Sequence, residues 1–200
     1  MSTANRTAGG WALIAVGLLN VLLFLIHPTR PDHTALIGPW GINAITHTLG
    51  VGTVPLMLLG NWALAEHLGL DRPLVRLALC CNLLAASLVC LAGLTSGWIT
   101  PTWGELGPEL GRMGVLLNRA CDRGYVAFLG LGMLLAALSL RTAPGWLRPF
   151  GVLAGLGTVG WVLSGQFSPS VHAMLALSLT QILWWISAGR LLLSGGADQR

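Results

Sequence analysis

Between Arg148 and Arg190 the chain contains no Asp, Glu, Lys or Arg. A run of that length without charge cannot be the amphipathic helix or alternating strand of a water-soluble domain, because both need a solvated face. It is long enough for two membrane-crossing helices of roughly 20 residues each. Gly165-Gln166-Phe167-Ser168-Pro169 supplies the break between them, with Ser168 suited to the N-cap and Pro169 to the first helical position. Composition agrees: 9% of residues are charged and 54% are hydrophobic, mean hydropathy is +0.73, and soluble domains carry about 25% charged residues.

The same reading along the whole chain predicts an all-α, polytopic membrane protein. We expect a single domain, 1–200, with six transmembrane spans at about 9–26, 42–65, 74–95, 116–140, 146–165 and 170–193. The first apolar run lacks a small-x-small cleavage site and is read as a span rather than a signal peptide. Pro28 stops it, and Pro55 should kink the second span beneath His47 by freeing the carbonyl of Val51. The polar stretch from Ser96 to Val115 is read as an ordered surface connection with room for one short interfacial helix, since Pro101 and Pro108 interrupt any longer one and Trp98 and Trp103 favour the headgroup region. Gly151, Gly155, Gly157 and Gly160 form a small-residue surface for close helix packing. Cys80, Cys81, Cys90 and Cys121 form no CxxC pair and read as small apolar thiols.

Six spans put both termini on one side of the membrane. Arg6, Arg72, Arg76, Arg141, Arg148, Arg190 and Arg200 fall on that side, whereas Arg30 and Arg112 fall on the other with Arg119 and Arg123 at its edge. The positive-inside rule makes the termini cytoplasmic. The net charge of +4 comes from arginines scattered singly, with no lysine, which excludes a nucleic-acid interface.

With this topology, four of the five histidines fall toward the outer face: His27 at the end of span one, His33 in the following loop, His47 a turn into span two and His172 at the start of span six. Neutral imidazoles with a carboxylate are common transition-metal ligands. His27, Asp32, His47 and His172 are therefore the candidate metal ligands, and Asn43, Arg119, Asp122 and Arg123 the candidate ligand-binding residues of one outward-facing pocket. No HxxxH or HExxH spacing brings two ligands onto one helix face. The structural alternative is that His27 caps a helix, His33 is solvated, and His47 and His172 bond to neighbouring groups. Haem b held by His47 and His172 is another use of the same residues.

His27-Pro28, Asp32, Trp40 and His47, together with Trp146-Leu147-Arg148-Pro149-Phe150-Gly151, His172 and Gly189, resemble the pattern of a group of uncharacterised bacterial multi-pass integral membrane proteins of the domain-of-unknown-function type. The resemblance implies a compact helical bundle in the bacterial inner membrane and carries no catalytic residue across. Two functions stay open. One is a non-enzymatic binding or accessory protein whose pocket holds a metal ion, lipid headgroup or small ligand, or contacts a partner subunit or a second copy of the chain. The other is a metal- or haem-dependent membrane enzyme that uses the same histidines.

Overall fold

A computed structural model describes residues 1–27, 41–141, 143–165 and 171–194, and for 171–176 the helical backbone alone. Every regular element among them is a helix: α1 Thr3–Ile26, α2 Ile42–Gly52, α3 Val54–Leu68, α4 Pro73–Leu94, a π-helical turn Thr95–Ile99, α5 Thr100–Leu106, α6 Pro108–Ser139, α7 Leu147–Leu163 and α8 Val171–Ser194. Four helical stretches, Thr3–Ile26, Ile42–Leu68, Pro73–Leu106 and Pro108–Ser139, are long and apolar enough to cross a membrane. This is the architecture of a membrane protein. Leu25 and Leu163 are 78% and 79% exposed, and such apolar surface on so many helices suits contact with lipid rather than water.

Local chemistry sets the helix ends. Ser2 caps α1 by accepting a bond from the Asn5 N–H, so the helix starts at Thr3, nearly two turns before the expected start of the span. At the other end His27 is extended, with φ −65° and ψ 129°, because a residue before proline is pushed out of the α region. The helix beneath His47 breaks at Thr53, whose hydroxyl donates to the Gly50 carbonyl at 2.7 Å, and Pro55 sits in the first turn of α3. Gly69 then ends α3 with φ 98°, a conformation that favours glycine.

The stretch 96–115 differs from its expected form as a surface connection. Pro108 lies in the first turn of α6 after Gly107, where a missing N–H costs nothing, whereas Pro101 lies just past the π-helical turn within one continuous helical stretch, Pro73–Leu106. Pro108 opens a helix, and Pro101 does not interrupt one. The chain reverses only at Gly107, with φ 151°, so α4, the π-helical turn and α5 form one arm of a hairpin and α6 forms the other.

In the bundle α6 packs between α4 and α7, and α1 between α3 and α8. Leu13, Met57, Ala85, Met133, Trp184 and Trp185 belong to one continuous core. Glycines bring the backbones together: a side chain on Gly189 would meet the Gly10 carbonyl at 2.6 Å, and one on Gly155 would meet the Gly130 carbonyl at 2.8 Å. Gly157 and Gly160, expected on the same packing surface, have no neighbour within 4 Å. All four cysteines are free thiols, with Cys81 and Cys121 buried.

Candidate functional site

The C-terminus of α1 and the N-terminal turns of α2 meet at the bundle end opposite the termini, and there the rings of His27 and His47 lie edge to face. Their centroids are 5.2 Å apart and their planes are 69° from parallel. His47 Nδ1 is 2.8 Å from the Asn43 carbonyl oxygen. A carbonyl only accepts, so Nδ1 carries the proton and donates it, which makes Nε2 the basic nitrogen of the neutral ring. A backbone carbonyl bonded to one ring nitrogen fixes the tautomer of a histidine, as it does in histidines that ligate metals.

The scaffold beneath this pair is the π-helical turn. Asn43, 8% exposed, donates from Nδ2 to the Ser96 carbonyl at 2.9 Å, and Trp98 Nε1 donates to Thr48 Oγ at 3.2 Å. Two side-chain bonds thus tie α2 to the turn on either side of His47. Gly97 makes the approach possible, since a side chain there would meet His47 Cβ at 2.8 Å, and Gly93 lies beneath Val51 and the His47 carbonyl. A π-helical turn shifts the following backbone relative to the α-helical register, and such turns often accompany functional sites.

The other candidates occupy different surroundings. Asp32 and His33 lie outside the described residues, as does the side chain of His172. Among the described residues no group of three or more His, Cys, Asp or Glu side chains is arranged to hold a metal ion, so the described part of the site is the His27–His47 pair. Asn43 spends its amide N–H on Ser96 and so acts as a strut beneath His47. On α6, Asp122 is half-buried and accepts a bond from Asn118 Nδ2 at 3.0 Å, while Arg119 and Arg123 are exposed. Helices α2 and α6 both pack on α4 and the π-helical turn, but among the described residues they share no substantial interface with each other.

Two features escape sequence reasoning. The first is the π-helical turn, whose signal in the sequence is the Gly93/Gly97 pair opposite the His47 helix. The second is a polar run on α6 formed by Asn118, Asp122 and Tyr125, which ends where the Tyr125 hydroxyl lies 3.3 Å from Gln181 Oε1 on α8. Asn118 Oδ1 and Gln181 Nε2 are buried without a protein partner.

The ring separation limits what the pair can bind. Two imidazoles on one tetrahedral ion, with metal–nitrogen bonds of about 2.0–2.1 Å and ring centres roughly 1.1 Å behind the nitrogens, hold those centres roughly 5.2 Å apart. No macrocycle fits between the rings of this pair; the haem pair expected from the sequence, His47 with His172, involves a side chain outside the described residues. No family model, curated protein or solved structure matches the chain.

Proposed function

We propose that this chain is an integral membrane binding or accessory protein whose outward-facing end holds a transition-metal ion through His27 and His47. The observation that carries the reading is the 5.2 Å approach of the two rings, with the His47 Nδ1 proton directed to the Asn43 carbonyl. Asp32 and His172 complete the ligand set in this proposal, since two imidazoles alone leave a tetrahedral ion half coordinated.

The proposal includes six passes with both termini in the cytoplasm of a bacterial cell, in the inner membrane. Helices α7 and α8 supply the fifth and sixth passes. Helix α7 has 17 residues and rises about 26 Å, slightly less than the roughly 30 Å hydrocarbon layer, a mismatch that local thinning accommodates. The Trp146 and Phe150 rings, 6.0 Å apart at its start, suit the interface at which aromatic residues collect.

Equilibrium dialysis of detergent-purified protein against zinc, followed by elemental analysis, tests the function. One ion per chain is expected, and His27→Gln and His47→Gln should each weaken binding at least tenfold. Unchanged stoichiometry and affinity in the double variant would remove the proposal. A reporter inserted at Gly107 should register on the face opposite the termini; a cytoplasmic signal there would overturn the topology.

A further inference from the structure

Helix α6 carries three exposed arginines, Arg112, Arg119 and Arg123. At positions i, i+7 and i+11 they fall within about 40° of one line along the helix. Among the described residues none of the three guanidinium groups has a hydrogen-bond or ion-pair partner. Asp122, the acid closest in sequence, is half-buried against Asn118. The line is flanked by apolar side chains that are also exposed, with Leu116 63% and Met113 57% accessible. Guanidinium groups alternating with uncovered apolar side chains form a surface for an amphiphile, because a soluble anion would leave the Leu and Met side chains in water.

Depth in the membrane points the same way. The C-terminal end of α6 is level with the α3–α4 turn, because Arg72 Nη1 donates to the Ser139 carbonyl at 2.7 Å. Counting from Ser139, a hydrocarbon layer of roughly 30 Å occupies about 20 residues of helix and ends near Arg119. Arg112 then lies about 10 Å above that boundary and Arg123 about 6 Å below it. Long arginine side chains turn toward the nearer polar layer. Arg123 reaches up and Arg112 reaches down, so the three charges meet in the phosphate layer.

We propose that Arg112, Arg119 and Arg123 form a binding site for the phosphate of an anionic phospholipid in the leaflet at the His27/His47 end, with its acyl chains lying along Leu116 and the adjoining face of α6. The site is separate from the histidine pair and depends only on α6 crossing the membrane. Arginine suits the task because its planar, weakly hydrated head donates two parallel bonds to a phosphate.

The test places the full-length protein in phosphatidylcholine nanodiscs containing trace spin-labelled phosphatidylglycerol or spin-labelled phosphatidylcholine, and reads the fraction of label immobilised at the protein surface. The unaltered protein should prefer the anionic lipid about threefold to tenfold at low salt, and the preference should shrink as salt is raised. Arg112→Gln/Arg119→Gln/Arg123→Gln should lose most of it, whereas Arg148→Gln/Arg190→Gln at the opposite end should keep most of it. Arg119→Gln alone provides a milder variant whose fold is checked by circular dichroism, and it should lose part of the preference. A triple variant that retains the preference of the unaltered protein overturns the proposal. So does displacement of the lipid by inorganic phosphate at matched ionic strength, which would mark a site for a free anion.

Discussion

The two ends of this helix bundle are held together by different means. At the end that carries the N-terminus, the backbones of α1 and α8 touch, with Gly10 facing Gly189 so closely that a side chain on either would collide, and the Arg72 side chain adds a bond from the α3–α4 turn to the Ser139 carbonyl. At the opposite end, side chains bridge α2 to the π-helical turn, Asn43 to Ser96 and Trp98 to Thr48, while the His47 ring bonds to the Asn43 carbonyl one turn earlier in its own helix. Backbone contact through glycine maximises packing in lipid, where apolar transfer cannot drive helices together, and leaves no space for a ligand. Side-chain bridging holds helices at a set distance while presenting nitrogen and oxygen atoms. The second end is the one to which the proposed function assigns binding.

This contrast can be broken by mutation. The largest effect is expected at the closed end. Gly189→Val would force α1 and α8 apart at a cost of at least about 1–3 kcal/mol, read as a fall in thermal unfolding temperature in detergent, and zinc affinity in the surviving folded protein should change little. Asn43→Leu comes next. It leaves the Ser96 carbonyl unpaired and costs about 1–2 kcal/mol, and because it frees the helix that carries His47, zinc affinity should drop roughly tenfold. Trp98→Phe is the mildest, removing one exposed bond to Thr48 for about 0.5–1 kcal/mol with a smaller loss of affinity. If Gly189→Val lowered affinity as much as Asn43→Leu, the two ends would be one cooperative unit and the distinction would fail.

Much of the helical framework is legible in the sequence because its causes are local. Charge-free runs longer than a bilayer is thick admit few structures, and Pro28 dictates that α1 stops at Ile26. The turn at Gly107 was less accessible. Proline stops a helix in its interior and starts one in its first turn, and the residues around Pro101 and Pro108 do not say which applies until the packing of α5 on α6 is known. The candidate site divides in the same way. That His27 and His47 belong to one end follows from span order alone. Their contact depends on how α1 and α2 pack, and the strut beneath them depends on Asn43 reaching a carbonyl 53 positions away in the chain. The π-helical turn leaves only the Gly93/Gly97 pair as its mark in the sequence, and that pair gains its meaning from α2 packing against it. Arg119 and Arg123 read as companions of the histidines because they share a depth, but depth does not specify a face, and on α6 they point to the surface.

The most direct test of the central claim is X-ray absorption at the zinc edge on the metal-loaded protein. A pair of imidazoles on one ion predicts multiple-scattering features from two histidine rings, reduced to one ring in either His27→Gln or His47→Gln. Spectra that stay the same in both variants, or that show no imidazole scattering in the unaltered protein, would contradict the account.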